Sequence, residues 1–223
     1  MEKIVSLKGP YINVADINYG GSQNFFKERK GPLNKMKVLG GCGIVALADT
    51  FAYLEHRTEF KTKEQYMGYF NRVALTALWL PAASGMTFIH EELAFMFRLI
   101  VRRLPYVAFW GFSRKKLYSR IREMLVNDIP VILCIPRTYG GRKKDRLPFY
   151  RYDKESGKMK YIESTSGHFV VVTGLYKHEG KLCMKISSWG WSYIMYYDDY
   201  MRFLKTHICG LLGNIMVVHR VGR

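Results

Sequence analysis

Residues 40–54, GGCGIVALADTFAYL, constrain this chain more than any other stretch. Two glycines, a cysteine and a third glycine lead into Ile44, Val45, Leu47, Ala48, Phe51, Ala52 and Leu54. Apolar residues at these positions cover more than one helical face, so the spacing predicts a central helix packed on several sides. Such a helix needs other elements to surround it, and 223 residues with 48% apolar content supply a core of that size. Cys42 falls in the first turn, where unpaired backbone N–H groups and the positive end of the helix dipole favour an anion. Here the anion would be its thiolate. A cysteine titrates near pH ~8.5, and a helix N-terminus with a cationic neighbour lowers that to about 3.5–7.5. On this stretch alone, Cys42 reads equally as a nucleophile or as a small buried side chain at a glycine-rich helix start.

Composition narrows the classes. The four cysteines, Cys42, Cys134, Cys183 and Cys209, form no CxxC pair and no dense framework. That argues against structural zinc and against a disulfide scaffold, and it fits a reducing cytoplasm. The first residues, MEKIVSLKGPYINV, carry no apolar core of the kind a secretory leader has, and the longest apolar run, 73–84, is too short to span a bilayer. The formal charge is +17, unevenly spread: residues 98–160 hold 17 Lys/Arg against 5 Asp/Glu, or +12. A field of that size attracts acidic partners, but no nucleic-acid-binding motif accompanies it, so a solvated basic face is the simpler account.

Along the chain, residues 1–41 read as an irregular, glycine-rich arm with one short strand at 4–7. Helical periodicity follows the Cys42 helix at 62–80, 89–104 and 113–127, the last with Ser113 as N-cap. The texture then changes to short strands at 129–136, 147–152, 158–163, 168–176, 181–187 and 194–197, with a helical turn at 198–205 and a closing strand at 215–221. Helices first and strands second is an α+β plan. One domain is expected, with a helical half at about 1–128 and an antiparallel sheet half at about 129–223. The basic stretch 137–146 joins two strands and is expected as an exposed loop at one wall of the cleft.

Cysteine chemistry needs a base, and the base needs an orienting group. Of six histidines, His168 in SGHFVVVTG opens a strand whose other residues are plainly core. Ser187-Ser188-Trp189-Gly190 closes the next strand, which sets Ser187 beside the His168 ring with Trp189 covering the contact from water. Other matches are weaker: Ser113 with Lys116 fits SxxK without its companion motifs, and His90-Glu91-Glu92 lacks a second histidine for zinc.

Taken in order, Cys42 with its helix, DIPVILCIP, GHFVVVTG and SSWG resemble the papain-like cysteine peptidases, nearest to the bacterial set related to the C39-like peptidases. The resemblance spans about 150 residues. It implies a papain-like cysteine proteinase fold with a cleft between the helical and sheet halves. It also implies amide hydrolysis through a thioester, by a Cys42 thiolate and His168 imidazolium, without metal or organic cofactor. The implied partner is a peptide or other amide, acidic ones being favoured by the charge, with no nucleic acid and no membrane span. The chain departs from the family in two places. Ser187 stands where the family has Asn or Asp, with Asp198 and Asp199 as nearby substitutes. No glutamine lies between Lys30 and Cys42, so Asn34 is the nearest side-chain amide for the oxyanion beside the Cys42 backbone N–H. Gln23 or Asn24 reach the site only if the arm folds back. A cell-wall peptide amidase of the same chemistry, or an inactive basic binding module on this fold, are the alternatives.

Overall fold

A computed structural model describes residues 1–76, 88–111, 114–137, 146–206 and 214–221. The helices are α1 (Pro32–Gly40), α2 (Cys42–Leu54), α3 (Lys63–Thr76), α4 (Phe88–Val101), α5 (Leu117–Val126) and α6 (Tyr197–Thr206). The strands are β1 (Glu2–Ser6), β2 (Asn13–Val14), β3 (Asn18–Tyr19), β4 (Glu59–Phe60), β5 (Tyr106–Gly111), β6 (Val131–Ile135), β7 (Leu147–Tyr152), β8 (Met159–Thr165), β9 (His168–His178), β10 (Lys181–Ser188), β11 (Trp191–Tyr196) and β12 (Ile215–Arg220). The architecture is mixed α+β, with a large antiparallel sheet ordered β5-β12-β6-β9-β10-β11-β7-β8. β1 also pairs with β9, in the register Glu2 to Lys177. A small second sheet, β3-β2-β4, joins two short strands of the N-terminal arm to β4, which follows α2.

β9 is the sheet's axis. β6 pairs with its first half, β1 with its second, and β10 runs along the opposite edge. Residues 168–175 are buried without alternation, as expected of a strand covered on both faces. The helix α2 lies against β9 and β6 and touches α3 and α4. Every residue of α2 from Gly43 to Leu54 is buried. Phe51 stacks on Phe95 of α4 with ring centroids 4.5 Å apart. α4 in turn shields the outer edge of β5, where the backbone N–H groups of Ala108 and Trp110 donate to Met96 Sδ and Glu92 Oε2.

The division at residue 128 is not strict. β1 and β5 come from the first half of the chain yet join the sheet, and α6 comes from the second. Residues 106–111 alternate weakly and are short, which is why their strand was not legible. The arm is also more structured than its glycines suggest: Pro32 sits at the first turn of α1, the position where proline's fixed φ and missing N–H suit a helix. α1 meets α2 at a bend of 77° and buries none of its residues. Ser113, Cys209 and residues 77–84 of the long apolar run lie outside the described residues, as do 138–145 of the basic stretch. Arg137, at the start of that stretch, is exposed and lies against Gly167, the residue before His168. Among the described residues no single helix is long and apolar enough to cross a membrane.

The arm doubles back over α2 through a tight turn at Gly20. Its φ is +82°, and a Cβ there would fall 2.1 Å from Ser187 Oγ and 2.6 Å from Asp49 Oδ2. By contrast Gly180, in the β9–β10 turn with φ +74°, faces open space. Alanine at Gly180 therefore meets only the left-handed conformational penalty, about 1 kcal/mol. Gly20→Ala must in addition move Ser187 or the arm. Urea denaturation should place the Gly20→Ala loss at least about 1 kcal/mol beyond that of Gly180→Ala.

Candidate active site

One cleft gathers Gln23, Cys42, Asp49, His168, Ser187, Ser188 and Trp189 with Val45, Ala46, Phe169, Val170 and Val171. Four separate pieces of chain supply the polar groups. α2 supplies Cys42 at its first turn, where the cap is Gly41 and the thiol is half-buried. β9 supplies His168 at its first position, 6% exposed. The β10–β11 hairpin supplies Ser187, Ser188 and Trp189. The arm supplies Gln23.

The hairpin turns through only two residues, Trp189 and Gly190, because Ser188 pairs directly with Trp191. Both have positive φ, +49° and +82°. That is the signature of the primed turn whose twist matches a hairpin, and glycine occupies the second position at no cost. A tryptophan in the left-handed region is strained and persists only where surrounding contacts hold it. Its ring stacks on His168, centroids 4.4 Å apart and planes 17° from parallel, and also touches Phe149 and Tyr193. The strain thus goes into roofing the imidazole.

His168 Nε2 is 2.8 Å from Ser188 Oγ. Ser188, not Ser187, is therefore the hydroxyl at the ring, and the expectation for Ser187 is corrected. The pairing register explains the exchange: Ser187 lies opposite Val171 of β9, and its Oγ donates to the Tyr19 carbonyl of the arm at 3.0 Å. Successive strand residues point to opposite faces, so only one of the two serines can meet His168. Asp198 and Asp199 open α6, with Asp199 paired to Arg202, and neither lines the cleft.

Asn34 is likewise corrected. Its Nδ2 donates to the Lys30 carbonyl at 2.8 Å within the start of α1, and it does not line the cleft. Gln23 does, because the arm folds back. It opens a 3-10 turn, Gln23–Phe26, capped by Ser22, whose Oγ accepts from the Asn24 N–H at 3.1 Å. Its own Nε2 donates to the Val38 carbonyl at 2.8 Å, four residues before Cys42. The helix α1 lies between Gln23 and Cys42 in the chain, which is why sequence spacing hid the pair.

Asp49 carried no signal beyond being a lone acid in an apolar helix, and the structure gives it three partners. It is 1% exposed. The Gly21 N–H donates to both its oxygens at 3.1 and 3.0 Å, the Tyr66 hydroxyl to Oδ1 at 2.6 Å and the Tyr11 hydroxyl to Oδ2 at 3.3 Å. Burial pushes its pKa up to about 6, against the lowering pull of those bonds. Burial pushes His168 the other way, down to about 3, so the imidazole is neutral at neutral pH. With Nε2 held by Ser188, the tautomer that donates to the hydroxyl leaves Nδ1 as the basic nitrogen. Among the described residues no group of three or more His, Cys, Asp or Glu could hold a metal ion.

No protein-family model, no curated protein and no solved structure matches the chain.

The two buried titrations act in opposite directions. Unfolded His168 takes up a proton near pH ~6.5 while the folded ring refuses it until about 3, so this group's contribution to stability is lost as pH falls below ~6.5. Folded Asp49 holds a proton to about 6 that the unfolded chain has released near ~3.9, so its contribution falls as pH rises through that window. Between pH 7 and pH 5, urea midpoints should therefore fall further for the parent than for His168→Gln.

Proposed function

We propose that the chain is a papain-like cysteine hydrolase that cleaves an amide bond through a thioester. The observation carrying this reading is the convergence of Gln23, Cys42, His168 and Ser188 on one cleft from elements far apart in sequence. The arrangement supports the papain-like fold as well, with the cysteine on a central helix, the histidine on the sheet and the cleft between them.

The resting imidazole is neutral, since burial leaves His168 unprotonated. As Cys42 Sγ attacks the carbonyl carbon, its proton passes to His168 Nδ1, and the C–S bond forms while the carbonyl π electrons move to oxygen. The resulting imidazolium faces the charge formed in the same step, which offsets the cost of charging a buried ring. Ser188 accepts from Nε2–H and fixes the ring's angle, and Trp189 keeps water off the contact. The oxyanion receives the Cys42 backbone N–H and the second hydrogen of the Gln23 amide, whose first is spent on Val38. Collapse breaks the C–N bond, and the amine leaves with the proton from His168. Water then attacks the thioester with His168 as base, releasing the acid and restoring the thiol.

The +12 field of residues 98–160 and Arg137 beside Gly167 favour acidic peptides over basic ones. A serine hydroxyl orients but carries no charge, so Ser188 contributes less than Cys42 or His168. Against an acidic peptide library, Cys42→Ala and His168→Ala should abolish turnover. Ser188→Ala should lower kcat about two- to tenfold, since one neutral hydrogen bond is worth about 0.5–1.5 kcal/mol. Brief iodoacetamide treatment should label Cys42 first, ahead of Cys134 and Cys183, and more slowly in His168→Ala. Absence of amide turnover with equal labelling of Cys183 would overturn the reading.

A further inference from the structure

We propose that Asp49 is a positioning residue that regulates the site: its carboxylate clamps the Gly20–Gly21 turn of the arm onto α2, setting Gln23 beside Cys42, and protonation releases the clamp. The proposal rests on the hydrolase reading for its effect on rate, but not for the clamp itself.

The geometry sets what protonation does. An ionised carboxylate accepts only, and all three of Asp49's partners donate: Gly21 N–H, Tyr66 O–H and Tyr11 O–H. Protonation turns one oxygen into a donor. The Gly21 N–H cannot accept, so the new proton must face a tyrosine, whose hydroxyl must then turn and find another acceptor. When one oxygen bears a proton the Gly21 N–H keeps only the other, a weaker acceptor, and because Tyr11 and Tyr66 still cover the carboxyl, the loosened state without that lowering bond holds its proton more tightly than the clamped one. Gly21 is two residues from Gln23, and the turn before it leaves no slack, since any Cβ at Gly20 would collide with Ser187 and Asp49. A shift at Gly21 is thus passed to the Gln23 amide.

The titratable and polar groups around Asp49 are few. Tyr11 and Tyr19 come from the arm, Tyr66 with Tyr69 behind it from α3, and Ser187 from β10. Cys42 and His168 line the same cleft. Burial drives the tyrosine hydroxyls well above their ordinary range, so all four stay protonated where Asp49 titrates. His168 stays neutral down to about pH 3. Asp49, at about 6, is then the buried carboxyl that changes charge in the mildly acidic range.

The test uses hydrogen exchange of the whole chain, followed by mass spectrometry over peptides covering residues 19–24 and corrected for intrinsic rates. In the parent, exchange there should be at least about tenfold faster at pH 5 than at pH 7.5. A carboxamide presents an acceptor oxygen and a donor nitrogen, much as the protonated acid does, so Asp49→Asn should exchange at the fast rate at both pH values. Tyr66→Phe removes the 2.6 Å donor to the carboxylate and should move the midpoint to higher pH, which also serves should Asp49→Asn fail to fold. In hydrolysis, kcat of the parent should fall on the acid side with a midpoint near 6, a limb that Asp49→Asn lacks, with KM changed much less. Exchange at 19–24 that does not respond to pH, and does not respond to whichever of the two variants folds, overturns the clamp whatever the hydrolysis shows. The expected exchange with no amide turned over leaves the clamp standing and removes the hydrolase.

Discussion

A helix buried along its whole length from Gly43 to Leu54 meets the cleft along one side that runs from Cys42 through Val45 and Ala46 to Asp49. The burial of α2 dictates the rest of the plan. Sheet must cover it on one side, through β9 and β6, and helices on others, through α3 and α4. At roughly 25 cal/mol per Å² of apolar surface removed from water, twelve buried residues fix the helix far more firmly than any single polar contact could. The cysteine inherits that rigidity, and the role of nucleophile proposed for it depends on such rigidity, since His168 comes from a different layer.

The second constraint is polar. An apolar helix that carries Asp49 into the core must find donors for both carboxylate oxygens or lose several kcal/mol. The donors it has found belong to the arm and to α3, so the cost of burying one carboxylate is turned into a tie between parts of the chain that apolar packing alone would leave free to slide. The same arm reaches the sheet: the Tyr19 N–H donates to the Gly190 carbonyl, Ser187 to the Tyr19 carbonyl, and the Tyr19 hydroxyl to Thr173. A few residues, 18–23, therefore touch α2, β9 and the β10–β11 turn at once.

Much of this was legible in the residues. The all-round apolar pattern of α2, the strands 147–152 and 168–178, and the helix at 117–126 follow from spacing, because burial on a known period leaves a mark in sequence. Cys42 and His168 were legible because each is a polar residue at the head of a plainly apolar element. Choosing between Ser187 and Ser188 was not. It depends on which side of β10 faces His168, and that is fixed by pairing with β9 across a register irregularity between Lys185 and Ile186. A single-residue slip exchanges the two serines. Gln23 was hidden for a different reason: the inserted α1 separates it from Cys42 along the chain while the hydrogen bond to Val38 restores their proximity in space. Asp49 looked like an ordinary acid until its neighbours were known.

The arm's contacts also have a consequence in time. Residues 18 and 19 precede α2 in the chain, yet their partners Thr173 and Gly190 lie 154 and 172 positions further on. β1 waits in the same way for β9. Loop closure over such separations is slow compared with helix formation, so α2 and its thiol exist well before the imidazole, the roofing indole and the arm can be placed around them. The cleft is assembled only once β9, β10 and the turn into β11 are in hand, so residues 18–23 are seated after strands more than 140 positions beyond them.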